Sequence, residues 1–162
     1  LPTRIGLHSG KMLLGHVGAM AHYEYRAIGD IVNTTTRIQG LNKYLGTHIL
    51  VSEEVLSQLD GFLARELGKF LFVGKSKPLV VYELICHVDE ATQQQTRLCA
   101  DFAAALGAYR AGAWEEAIAR FYGCLKHESE DGPSRFYITL CEEYKEQPPE
   151  EAWNGVVRLT KK

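Results

Sequence analysis

Apolar and polar residues alternate through the first half of this chain and recur at helical spacing through the second. Residues 3–8 and 11–17 alternate around a Gly-containing turn, which predicts a β-hairpin. A third short strand is expected at 25–28. It leads through Gly29-Asp30 into a helix over about 31–45, where Ile31, Ile38, Leu41 and Leu45 form one stripe. Gly46 fits the left-handed position that closes such a helix. Residues 49–51 read as a strand, and Ser52 reads as the N-cap of a short helix. Residues 67–73 and 79–85 flank Gly74-Lys75-Ser76-Lys77-Pro78, a second hairpin. The mixture predicts an α+β sandwich with helices on one face of a largely antiparallel sheet.

Residues 87–98 are polar and Gln-rich, and read as a linker or helical lead-in. Three helical faces follow: Phe102, Leu106 and Tyr109; then Trp114, Ala117, Ile118, Phe121 and Cys124; then Phe136, Ile138, Cys141 and Tyr144. After Pro148-Pro149 the tail is expected to run extended, docked by Trp153.

Composition narrows the class. The 162 residues are 46% hydrophobic and 23% charged with a net charge of −2, an ordinary globular balance without the basic footprint of a nucleic-acid binder. No apolar run is long enough to span a bilayer. The chain starts without Met or a signal-like leader, and is expected to be an excerpt from a longer polypeptide. Cys86, Cys99, Cys124 and Cys141 are widely spaced and apolar in context, so they read as buried thiols in a reducing compartment. The histidines show no metal-ligand spacing.

The chemistry concentrates at the start of the first helix. Asn33 and Arg37 are one turn apart, so an amide and a guanidinium share a face near a helix N-terminus, where backbone N–H groups and the helix dipole favour an anion. The apolar stripe lies elsewhere, leaving the pair to face a phosphate. On spacing alone the commoner meaning of such a pair is a cap and a solvated arginine.

A resemblance shifts that balance. Gly29-Asp30-Ile31-Val32-Asn33 with Arg37 resembles the signature of class III nucleotide cyclases, the adenylate/guanylate cyclase catalytic domain. Arg4-Ile5-Gly6-Leu7-His8-Ser9-Gly10 with Leu14-Gly15-His16-Val17-Gly18 is similar to the family's strands before the signature. Thr47-His48-Ile49-Leu50-Val51-Ser52 resembles the strand after it, and Gly74-Lys75-Ser76 with Val81-Tyr82-Glu83-Leu84 the closing hairpin. The likeness runs collinearly from residue 3 to 85. Leu106-Gly107, Gly112-Ala113-Trp114-Glu115-Glu116-Ala117-Ile118 and Phe121 resemble a tetratricopeptide repeat, which needs a neighbour to bury its face.

These resemblances imply residues 1–86 as the C-terminal portion of a ferredoxin-like cyclase catalytic domain with a mostly antiparallel sheet, 87–98 as linker, and 99–162 as an all-α repeat segment with an extended tail. They imply conversion of ATP (GTP less so) to 3′,5′-cyclic AMP and pyrophosphate, in cyclic-nucleotide signalling. Two Mg2+ or Mn2+ ions would act at a homodimer interface, in a cytoplasmic protein whose parent an upstream segment would anchor if membrane-bound. Asn33 would orient the ribose, Arg37 stabilise the α-phosphoryl charge, and Lys75 neutralise the outer phosphates. Arg26 and Ile28 would flank the base. Arg26 stands where the family often has Asp or Thr, and an arginine accepts no hydrogen bond from a purine amino group. The family's metal-binding Asp residues lie upstream of the likeness, so no metal ligand is assigned here. Asp30 is expected to serve the turn and helix cap, and the chain by itself is expected to be inert. The alternative is a non-catalytic dimerisation or protein-interaction module on a degenerate cyclase-like fold, with a partner at the repeat.

Overall fold

Helix α1 (Asp30–Leu45) carries the expected stripe inward: Ile38, Leu41 and Leu45 are sealed from solvent. Gly46 ends it at φ 68° and ψ 25°, the left-handed conformation that glycine adopts without a Cβ clash. The structure, a computed structural model, describes residues 3–19, 22–149 and 152–159. Around α1 stand β1 (Ile5–Leu7), β2 (Leu13–Ala19), β3 (His22–Ile28), β4 (Ile49–Ser52), a one-turn helix α2 (Glu53–Leu56), β5 (Phe62–Leu71) and β6 (Leu79–His87). Helices α3 (Gln93–Arg110), α4 (Trp114–Cys124) and α5 (Gly132–Glu146) follow, then a last strand β7 (Val156–Arg158).

The sheet differs from the expectation in two ways. It is mixed, not mostly antiparallel: in the five-stranded order β1-β4-β6-β5-β7 both outer pairings are parallel and both inner ones antiparallel. The expected hairpin of residues 3–8 with 11–17 does not form. β1 pairs in parallel with β4, Ile5 opposite Ile49, while β2 pairs with β3 in a separate two-stranded ribbon. Gly6 explains part of the choice. A Cβ there would sit 2.4 Å from the Gln39 backbone nitrogen, so β1 lies directly against α1. Asn42, fully buried on α1, locks that contact by donating to the Ile5 carbonyl at 3.0 Å.

Ser52 does not cap α2 as its position suggests. Its hydroxyl instead meets His8 Nδ1 at 2.9 Å and makes no cap bond. Asp30 likewise makes no cap bond to α1; its carboxylate turns to Lys75.

The C-terminal helices pack on the sheet. Phe102, Leu106, Tyr109, Phe121, Tyr137 and Cys141 share one apolar cluster with Ile38, Leu45, Leu67 and Phe70. Of the polar stretch 87–98, residues from Gln93 onward are the first turns of α3, opened by Thr92 in a reciprocal capping box with Gln95. The Tyr137 hydroxyl donates to the Leu67 carbonyl at 2.5 Å across the helix–sheet junction. Gly68 faces that hydroxyl with φ 124°, a backbone angle and a clearance that no side chain tolerates. Trp153 docks the tail, as expected: its indole N–H donates to the carbonyls of Tyr109 and Arg110.

Candidate active site

The signature turn places Asn33 and Arg37 on one wall of a groove of ≈ 430 Å³. Asn33 is exposed and Arg37 half-buried, and neither belongs to the apolar stripe of α1. Thr36, Gly40, Leu41 and Tyr44 continue the helix side, while Phe72, Val73 and Leu159 form the facing side. The groove is therefore polar at the N-terminal end of α1 and apolar farther along.

The guanidinium of Arg37 is pinned. Nη1 donates to the Val73 carbonyl, just past the end of β5, which leaves further N–H donors of its planar fork for a ligand. The β5–β6 turn then bends over the helix. The Lys75 N–H donates to the Phe72 carbonyl at 3.0 Å, and Gly74 adopts φ 75° with its absent Cβ position 3.9 Å from Arg37 Nη2. Lys75 reaches back to Asp30, the first residue of α1, and forms an ion pair with it. Asn33, Arg37 and the Gly74-Lys75 tip thus gather at one end of the helix from positions far apart in sequence.

Arg26 and Ile28 lie apart from this cluster. They belong to the β2–β3 ribbon and do not line the groove; Arg26 Nε donates to Glu24 at 2.7 Å, and Ile28 is exposed. Among the described residues no group of three or more His, Cys, Asp or Glu converges in a way that could hold a metal ion. Asp30, the carboxylate at the head of α1, is engaged by Lys75.

Sequence reasoning missed the facing wall. Phe72 and Val73 were visible only as strand residues, and Leu159 only as part of an extended tail, because their approach to α1 depends on pairings distant in sequence.

Comparison with known proteins decides the lineage. The profile of the Adenylate and Guanylate cyclase catalytic domain matches residues 1–87, more than half of the chain. The chain belongs to this cyclase catalytic-domain family. "Adenylate cyclase 1" of Rhizobium meliloti (strain 1021) is 39% identical over 84 residues, 51% of this chain and 13% of that protein. "Adenylate cyclase, terminal-differentiation specific" of Dictyostelium discoideum is 28% identical over 144 residues, 86% of this chain and 7% of its own length, so the likeness there extends into the C-terminal helices. The solved adenylyl cyclase CyaB from P. aeruginosa aligns over 56% of this chain and 43% of its own at 26% identity and a TM-score of 0.45. This cyclase-family chain thus spans about an eighth or less of the two curated relatives. No helix among its described residues is long and apolar enough to cross a membrane.

Proposed function

We propose that this chain carries the transition-state wall of a class III adenylate cyclase, which converts ATP to 3′,5′-cyclic AMP and pyrophosphate within a homodimer. In that reaction the ribose 3′-oxygen bonds to the α-phosphorus as the bond to pyrophosphate breaks, and the hydroxyl proton leaves to solvent. Negative charge shifts onto the phosphoryl oxygens, so positioning and electrostatic stabilisation carry the catalysis. Asn33 orients the ribose. Arg37, held by the Val73 carbonyl, presents its fork to the α-phosphoryl oxygens. Lys75 exchanges Asp30 for the outer phosphates, which its flexible stem permits.

The family's divalent ions would neutralise charge on the phosphates, and no group of carboxylates among the described residues is assigned to hold them. Adenine rather than guanine is supported by the names of the relatives. The repeat-like helices serve as a brace for the sheet, with partner binding there a lesser role.

The carrying observation is that Asn33 and Arg37 open onto one groove while Lys75 meets Asp30 at the N-terminal end of the same helix. In an intact enzyme bearing this segment, Arg37→Ala is expected to lower kcat for cyclic AMP formation by about 10²–10³, the scale of one lost transition-state donor. An unchanged kcat would remove Arg37 from the mechanism.

The reading as a non-catalytic dimerisation module draws support from the β2–β3 ribbon, where Leu13 is 75% and Leu14 56% exposed. Self-association without nucleotide binding would favour it.

A further inference from the structure

Leu159 closes the apolar side of the Asn33/Arg37 groove although it comes from the far end of the chain. Its N–H donates to the Leu71 carbonyl at 3.1 Å, extending the parallel ladder in which Phe70 faces Val157 and Leu71 faces Arg158. Upstream, the Trp153 indole N–H is shared between the carbonyls of Tyr109 at 3.1 Å and Arg110 at 2.9 Å. Its ring is met edge-on by Tyr109 and Trp114, with centroids 5.1 and 4.8 Å away. Gly155, at φ 73°, makes the bend that turns the chain from this anchor into β7. The tail is therefore built into the sheet edge.

Two consequences converge on Arg37. β7 pairs with the last residues of β5, and two residues beyond Leu71 the Val73 carbonyl holds the Arg37 guanidinium. Leu159 and Phe72 also shield the groove opposite Tyr44, and a charge–phosphate attraction strengthens as water is excluded from its surroundings.

We propose that the C-terminal tail is a working wall of the nucleotide groove, with Leu159 as a positioning residue that fixes and shields Arg37 for the triphosphate. The proposal rests on the cyclase reading of the groove and extends it, since it assigns substrate affinity to a segment outside the matched residues 1–87.

The test titrates the purified chain with a fluorescent ATP analogue at low and high salt, with thermal melting as a check on folding. Leu159→Ala is expected to weaken binding about tenfold, the scale of trimming an apolar side chain from a pocket wall, with Leu159→Met close to the parent. It is also expected to steepen the salt dependence, because an opened groove is better screened, an effect that a purely structural loss would not produce. If Leu159→Ala melts the protein, Leu159→Gln keeps the bulk, wets the wall and should show the same loss. Arg37→Ala is measured in parallel. If it weakens binding and the Leu159 variants do not, the tail has no such role and the groove assignment stands. If the parent chain shows no saturable binding, or Arg37→Ala binds as the parent does, the groove assignment fails and the proposal with it.

Discussion

Arg65 on β5 and Asp131 before α5, 66 positions apart, meet at 2.5 Å between Nη2 and Oδ1, both almost sealed from water. Arg65 also donates through Nε to Glu83 on β6 at 2.7 Å and lies over the Phe102 ring, with its central carbon 4.8 Å from the centroid. Asp131 in turn caps α5 by accepting from the Ser134 N–H and hydroxyl. One guanidinium therefore ties two strands to two helices.

Removing Asp131 leaves a buried cation short of a partner and α5 uncapped. Asp131→Ala should destabilise the fold by about 3–5 kcal/mol, the range for breaking a buried pair. Asp131→Asn retains an acceptor for the cap and should lose less. Urea unfolding of both variants measures the difference, and equal losses would show that the charge, not the cap, matters.

Alkaline pH should weaken the fold through its buried acids. Burial pushes the Cys124 thiol from 9.0 up to about 11 and the Cys141 thiol to about 12. It also raises the Tyr109 and Tyr137 hydroxyls well above the ordinary tyrosine value. Between the unfolded and folded values only the unfolded chain has released these protons, so raising the pH draws the equilibrium toward it. This part of the stability is complete below about pH 9 and is lost as pH rises through the folded values, by roughly 1 kcal/mol per pH unit for each titrating group. Melting curves from about pH 8 to about pH 11 follow the loss, and replacing both cysteines by Ala should flatten the slope.

Lys75 is held by Asp30, and on the proposed reading a triphosphate would compete with that carboxylate. The Asp30 side chain is 82% exposed, so the pair contributes at most about 1 kcal/mol to stability. Asp30→Asn should free the ammonium and tighten binding of an ATP analogue by about twofold to fivefold, the scale of an exposed ion pair. Lys75→Ala should weaken binding with the melting temperature nearly unchanged. Titration and melting of the two variants, side by side, separate binding from folding.

Local signals made much of this architecture legible. The stripe of Ile38, Leu41 and Leu45, the closing Gly46 and the Gly74-Lys75 turn each rest on local signals and form as read, while Ile31, read into the same stripe, is only half-buried. The separation of Asn33 and Arg37 from that stripe was legible for the same reason. What escaped depends on partners remote in the chain. Alternation marks Ile5–Leu7 as a strand without saying that β4 rather than β2 lies beside it. The apolar tail says nothing of β5, and neither the Asp131 cap nor its tie to Arg65 was read from the sequence.

Gly132, at the first turn of α5, has no side chain to interpose: a Cβ there would lie 2.0 Å from the Leu45 carbonyl at the end of α1. The two helices touch main chain to main chain, and neither can roll without striking the other. The helix that carries Asn33 and Arg37 is thus seated at its far end on a helix that lies outside the matched residues 1–87.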